Sequence, residues 1–274
     1  MHLREDTAAV VTGGGSGIGL AIADALAARG CRLALIDVRE DRLESARARF
    51  APIARDVSIH TADVRDENAI TRAAAEIRRA HGDVSLLVNS AGVSLAAPFA
   101  EADRDSFDWV MRVNFGGTVR CCRIFLPQMF KAGVGHIANI SSCFGWVGFP
   151  GKTAYSASKF AIRGFSESLR SELRGSGIGV TVVYPGPVDT NLVRDGRSAD
   201  SDARTREVEF LARRGIPADH VAQRVIRAIV KNSPRAVVGF DYRAIDLLVR
   251  LAPNWSASLI GQFGPRFSWT DESR

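Results

Sequence analysis

The stretch VVTGGGSGIGLAIADALAARG near the start of the chain does most to limit what the sequence can fold into. Residues 7–12, TAAVVT, form a short continuous apolar run, the pattern of a parallel strand covered on both faces. Gly13, Gly14, Gly15, Gly17 and Gly19 follow, and a helix runs from about Gly17 to Arg29. Glycine permits a tight turn and a close approach of backbone to a bound group. A helix opening directly behind such a turn offers free N–H groups and the positive end of its dipole, which suits a pyrophosphate. A lone glycine-rich turn can be merely structural; between a strand and a helix it reads as a nucleotide site.

The rest of the chain repeats this alternation. Strands are expected at 31–37, 57–61, 84–88, HIANIS (136–141), GVTVVY (179–184) and 234–239. Helical patterns fill 39–50, 66–81, about 104–131, 153–175 and 218–231. Such alternation builds one α/β domain over residues 1–274, a Rossmann-type doubly wound parallel sheet of about seven strands with helices on both faces. Residues 191–216 are rich in Arg, Asp and Ser and lack a sheet pattern, so they read as a long polar loop. Residues 241–265 carry apolar side chains at helical spacing, interrupted by Pro253, and suit core packing, an oligomer contact or a membrane surface.

Net charge is +6 and the isoelectric point about 9.5. Basic residues are scattered, without an aromatic-interleaved tract, so the charge reads as a solvated surface and no nucleic-acid partner is expected. Cys31, Cys121, Cys122 and Cys143 form no CxxC or metal-spaced set and read as reduced thiols of a cytoplasmic protein. The five histidines are isolated, so no metal site is expected. The opening MHLREDT is polar, unlike a signal peptide, and no apolar run approaches the ~18–20 residues of a membrane span.

The chemistry concentrates between Asn139 and Phe160. Tyr155 and Lys159 are four residues apart and share one helix face. An adjacent cation favours the phenolate and is expected to draw the tyrosine pKa down toward the range of general acid–base catalysis. Ser142, at the end of a strand pattern, can hold a substrate oxygen near Tyr155. Asp37 ends the second strand about 20 residues after the glycines, where a carboxylate accepts hydrogen bonds from adenosine ribose hydroxyls and repels a 2′-phosphate. Asp37 can instead cap the helix behind it.

With TGxxxGIG at Thr12–Gly19, Asn89-Ser90-Ala91-Gly92, Ser142, Tyr155-x-x-x-Lys159 and Pro185-Gly186, the chain resembles the short-chain dehydrogenase/reductase family over roughly residues 7–240. The resemblance implies hydride transfer between a nicotinamide dinucleotide and a secondary alcohol or ketone. It implies cofactor contacts from Gly13, Gly15, Ser16, Gly17, Ile18 and Gly19. In members that prefer NADP, a basic residue stands before the second motif glycine or directly after the second strand. Those positions here are Ser16 and Val38, with Arg39 one step further, so NAD is expected over NADP. The resemblance places Asp63 and Val64 at the adenine, Asn89, Ala91 and Gly92 beside the cofactor, and Pro185, Gly186, Val188 and Thr190 around the nicotinamide. The family pattern NNAG has Ser90 at its second position here. Tyr155 and Lys159 also touch the cofactor, Lys159 through the ribose. Asn114 is implied to kink its helix and hold a water beside Lys159. Residues 190–217 are implied as a substrate lid, and a homodimer or homotetramer is implied as the assembly.

The side chains expected to face the substrate come from 94–99, 143–149 and the lid, and Leu95, Pro98, Phe99, Phe144, Trp146, Val147 and Phe149 among them are mostly apolar, unless they pack as core. They fit a lipid-like or steroid-like small molecule, whereas sugars and polyols need more fixed polar groups. A non-catalytic dinucleotide-binding regulator is the alternative, against which the complete Ser142, Tyr155 and Lys159 set argues.

Overall fold

The computed structural model describes residues 1–53, 56–256 and 258. In chain order its elements are β1 (Ala8–Thr12), α1 (Gly17–Ala27), β2 (Arg32–Asp37), α2 (Glu40–Phe50), β3 (Val57–Thr61), α3 (Glu67–His81), β4 (Leu86–Asn89), β5 (Leu95–Ala96), α4 (Arg104–Met111) and α5 (Gly117–Ala132). There follow β6 (Gly135–Ile140), α6 (Thr153–Glu172), β7 (Ile178–Pro185), α7 (Asn191–Arg194), β8 (Arg197–Ser198), α8 (Ser201–Arg214), α9 (Ala218–Val230), β9 (Arg235–Val238) and α10 (Phe240–Leu251).

Among the described residues the main sheet has seven strands in the order β3-β2-β1-β4-β6-β7-β9, and every pairing is parallel. Strands buried on both faces need no alternation, and β1, β4, β6 and β7 are buried at every position. On one face, Ile22 and Leu26 of α1, Leu43 of α2 and Val225 and Ile229 of α9 close over the sheet. On the other, Ile70 and Ile77 of α3, Phe125 and Met129 of α5 and Leu169 of α6 do the same. The order in which strands are laid down reverses between β1 and β4, the parallel neighbours from which it runs outward both ways. Open α/β sheets bind ligands beyond the carboxyl ends of strands at such a switch point.

The helical stretch 104–131 passes from α4 to α5 through one turn of π-helix, Arg112–Gly116, with Asn114 at its centre, where the resemblance implied a kink. Two segments differ from the expectations of the sequence. The polar stretch 191–216 is mostly helical, forming α7 and α8. Thr190 caps the first, accepting from Leu192 N at 3.4 Å, and Asp200 caps the second, accepting from Asp202 N at 2.7 Å. Asp200 lies among the residues whose polarity suggested a loop, and Thr190 directly before them. Two-residue β5 and β8 pair in parallel, too short to show a period in the sequence. At the C-terminal side, Ala252 leaves the helical region just before Pro253, as the residue preceding proline tends to do. Residue 257 and residues 259–265 of the 241–265 extension lie outside the described residues. No described helix is long and apolar enough to cross a membrane.

Candidate active site

The glycine turn is fixed by close packing. Gly13 and Gly17 have φ of +65° and +55°, values that L side chains rarely adopt. A Cβ on Gly13 would come within 2.9 Å of the Ala91 backbone, and one on Gly17 within 3.1 Å of Thr190. A Cβ on Gly19 would overlap the Gly13 carbonyl. Thr12 Oγ1 accepts from Ser90 N at 3.1 Å and Ala91 N at 3.2 Å, tying the loop after β4 to the turn. Ser16 opens α1 without a side-chain cap, and the first turn carries no acid. The first N–H groups of α1 therefore have no side-chain acceptor at the cap, and the dipole end is not neutralised. That fits a pyrophosphate group.

At the outer end of β2, the Asp37 carboxylate accepts from Gly15 N at 3.1 Å and from Arg39 N at 3.0 Å. Arg39 itself turns to Asp41, both contacts at 2.9 Å. Asp63 is bound by Arg65, with Nη2 to Oδ2 at 2.6 Å. Burial works against the Asp63 charge, but the Arg65 hydrogen bonds outweigh it and hold the carboxyl below its ordinary range. Asp66 caps α3, accepting from Ala69 N at 3.0 Å, so capping is not the role of Asp63.

Ser142, Tyr155 and Lys159 converge beyond the ends of β6 and β4. Lys159 Nζ lies 5.4 Å from the Tyr155 ring centroid and donates to Ile140 O at 3.0 Å. Ser142 Oγ accepts from Phe144 N at 3.2 Å, and one turn of 3₁₀-helix, Cys143–Gly145, begins there. All three side chains are buried. Burial pushes the Tyr155 phenol well above its ordinary pKa; a hydrogen bond to Ser142 pulls the other way, and the Cys143 and Glu207 charges add to the rise. Burial lowers the Lys159 ammonium to about 8. The expected downward pull of the cation on the phenol is therefore overturned for the protein alone: in a dry site the missing solvation of both charges dominates.

Asn114 is fully buried. Its Oδ1 accepts from Val93 N at 2.8 Å, and its Nδ2 donates to Val93 O at 3.0 Å and to Ser158 Oγ at 3.0 Å. Ser158 Oγ in turn donates to Tyr155 O at 2.7 Å. A Cβ on Gly92 would stand 3.3 Å from Asn114 Oδ1 and 3.6 Å from Lys159 Nζ, so the three positions are close neighbours. The π turn thus lets Asn114 brace the loop after β4 against the helix of Tyr155.

A cleft of about 1310 Å³ joins these groups. Gly13, Ser16, Gly17, Ile18, Asp37, Arg39, Asp63, Val64, Ala91, Gly92, Ser142, Tyr155, Lys159, Pro185, Gly186, Val188 and Thr190 line it. Gly15, Gly19, Asn89 and Asn114 stand behind its surface. Asn89 Nδ2 donates to Asn139 Oδ1 at 2.8 Å, and Asn139 Nδ2 to Ser166 Oγ at 2.8 Å, stitching β4, β6 and α6 together. Of the apolar candidates, Phe144, Trp146, Val147 and Phe149 line the cleft, whereas Leu95, Pro98 and Phe99 do not. Phe99 is 69% exposed and packs edge-on to Phe107. The sequence reading missed Lys152 and Glu207, a buried pair in the wall at 2.7 Å, and Arg42, which meets Asp195 across the rim. Each joins residues more than 50 positions apart, which no local pattern reveals.

A family model described as short chain dehydrogenase matches residues 7–201. The SadH oxidoreductase of Mycobacterium tuberculosis is 34% identical over 255 residues, 92% of both chains. The 2-(R)-hydroxypropyl-CoM dehydrogenase of Xanthobacter autotrophicus is 39% identical over 190 residues, 68% of this chain and 76% of the relative. A short-chain dehydrogenase/reductase from Burkholderia phymatum, solved in complex with NAD, superposes with a TM-score of 0.84 at 28% identity, over 92% of this chain and 96% of that one. A parallel seven-stranded sheet with a glycine turn at the carboxyl ends of its strands is the doubly wound architecture of dinucleotide-binding folds. The chain belongs to the short-chain dehydrogenase/reductase family, whose members use NAD or NADP.

Proposed function

We propose that this protein is an NAD-dependent oxidoreductase that interconverts a secondary alcohol and a ketone on an uncharged, largely apolar substrate. The observation that carries the reading is the opening of Ser142, Tyr155 and Lys159 into one cleft with the glycine turn and Asp37. Bound there, the nicotinamide would supply the hydride acceptor or donor. The remaining work falls to the chain. Tyr155 exchanges a proton with the substrate oxygen. Ser142 Oγ accepts from Phe144 N, and its O–H, shared with Tyr155 in the protein alone, would turn to that oxygen and stabilise its developing charge. Lys159 supplies the local positive field and a donor for ribose hydroxyls. Asn114 holds the loop and helix that frame Tyr155, and the water the resemblance implies beside Lys159 would link the proton to solvent.

Asp37 supports NAD over NADP: its carboxylate faces the cleft beside Gly15, where it receives ribose hydroxyls and opposes a 2′-phosphate. Arg39, the basic residue that favours a phosphate, is engaged with Asp41. A carbinol carbon is the reacting group named in the Xanthobacter relative, and the aromatic wall of Phe144, Trp146, Val147 and Phe149 favours an apolar body over a polyol. In this reading α7 and α8 form the substrate lid of one domain spanning the chain. Phe160 on α6, 41% exposed, lies on the surface that would pair in a homodimer or homotetramer. Four free, buried cysteines accord with a reducing cytoplasm.

Tyr155→Phe tests the chemistry: turnover should vanish while cofactor binding persists, and near-normal turnover would remove Tyr155 from the mechanism. Thermal unfolding with NADH and with NADPH tests the cofactor. At about 100 times its dissociation constant a ligand should add roughly 2.7 kcal/mol, and stabilisation chiefly by NADPH would overturn the assignment to Asp37.

A further inference from the structure

The substrate side of the cleft is walled by Phe144, Trp146, Val147, Phe149, Phe210 and Leu211. Set into that apolar wall is an ion pair. Lys152 Nζ donates to Glu207 Oε2 at 2.7 Å and to Ser94 Oγ at 3.4 Å. The lysine and glutamate side chains are 2% and 8% exposed. Lys152 sits at the start of α6, three residues before Tyr155, and Glu207 projects from α8.

Fastening α8 does not require these charges. Val188 and Ile216 bridge the ends of the segment, β8 pairs with β5, and Ala203 of α8 is buried. A buried ion pair is a poor fastener, because desolvation offsets its attraction and apolar residues of similar volume often serve as well or better. What the pair adds to the cleft is hydrogen-bonding capacity. An ammonium has three donors, of which two are directed at Glu207 and Ser94; a carboxylate has two oxygens and about four acceptor sites. The pair is neutral as a whole, so an added ionic group gains little from it. A hydroxyl gains from both members, donating to the carboxylate and accepting from the ammonium.

We propose that Lys152 and Glu207 form a polar specificity subsite in the apolar wall, which selects an uncharged, otherwise apolar alcohol or ketone carrying a second hydroxyl remote from the reacting carbon. This rests on the reading of the cleft as the substrate pocket.

The test uses methyl ketones of six to twelve carbons in three matched forms: the plain ketone, the ketone with a terminal hydroxyl and the ketone with a terminal carboxylate. Affinities are measured by calorimetry on the full chain saturated with oxidised dinucleotide, with which ketones do not react. At the best-fitting length the hydroxyketone should bind about tenfold or more tightly than the plain ketone, the low end of a hydrogen bond to a charged group. In the double variant Lys152→Met/Glu207→Leu the two affinities should converge to within about twofold. Glu207→Gln leaves the lysine cation and should improve the carboxylate ketone about tenfold. An unchanged ranking in the double variant, or no preference and no binding in the wild type at any length, overturns the proposal. Should the double variant fold poorly, Glu207→Gln decides alone, and no gain for the carboxylate form refutes the subsite. Turnover with reduced dinucleotide is read separately. The expected ranking without turnover leaves the subsite standing and sinks the hydride-transfer reading, while turnover without the ranking does the reverse.

Discussion

Lys159→Met should make the cofactor-free protein more stable while destroying its activity. The lysine is 5% exposed, its ammonium donates to Ile140 O, and burial lowers it from 10.5 to about 8. In the unfolded chain the lysine binds its proton up to about pH 10.4. Between the two values the unfolded state holds more protons, so stability rises with pH. A shift of about 2.5 units corresponds to a penalty of roughly 3 kcal/mol at pH 7, falling to about 2 kcal/mol at pH 9. Methionine is one atom shorter and unbranched, carries no charge and avoids that cost. The Ile140 carbonyl loses its donor, which returns about 1 kcal/mol. The net gain at pH 7 is about 2 kcal/mol, and it should shrink by about 1 kcal/mol at pH 9. Urea unfolding of both proteins, without dinucleotide, at pH 7 and pH 9 measures it as a displaced midpoint at unchanged slope. A less stable variant, or a stability difference that ignores pH, would refute the claim that Lys159 is held charged against its surroundings.

Gly19→Ala should weaken both fold and dinucleotide affinity, because the added methyl meets the Gly13 carbonyl; a melt of the variant with and without NADH checks it, and wild-type values for both would contradict the packing described. His136 is buried, its Nε2 pairs with Thr181 Oγ1 at 2.8 Å, and burial lowers it to about 3. The unfolded chain takes up this proton below about pH 6.5, so the contribution of His136 to stability should fall between pH 6.5 and 3. His136→Gln should flatten that part of the stability profile, and an unaltered acid limb would count against it. Asp37→Ala should raise affinity for NADPH relative to NADH by about tenfold or more, read by fluorescence titration. No change in the ratio would remove Asp37 from cofactor choice.

The sheet was legible because buried parallel strands leave continuous apolar runs: β3 lies where VSIHT suggested, and β1, β2 and β9 differ from expectation by only a residue or so at their ends. The glycine turn was legible because its physical requirement is local. Tyr155 and Lys159 share a face because helix geometry alone puts them there. What escaped depends on contacts far apart in sequence. The titration of Tyr155 is governed by how dry its surroundings are, which spacing does not encode. The segment after β7 looked like a loop because its helices bury little: Ala203 and Glu207 are the buried positions of α8, and a helix with so narrow an apolar stripe reads as surface. Phe99 shows the converse, an apolar residue expected at the substrate whose chain carries it outward.

The segment that carries α7 and α8 leaves the sheet and returns to it at one place. Ile216 N donates to Pro187 O at 2.8 Å, and Val188 and Ile216 form a bridge. With its ends joined, the intervening 27 or so residues behave as a cassette. The entropic cost of closing a loop grows only with the logarithm of its length, about 0.6 kcal/mol per doubling. Residues 189–215 can therefore be lengthened, shortened or exchanged with those of a relative while β7, α9 and the Ser142–Tyr155–Lys159 group stay in place. In the proposed reading this cassette contributes Glu207 to the substrate wall, so exchanging it would alter that wall on one side while Lys152 and the aromatic residues from Phe144 to Phe149 stay with the chain that bears Tyr155.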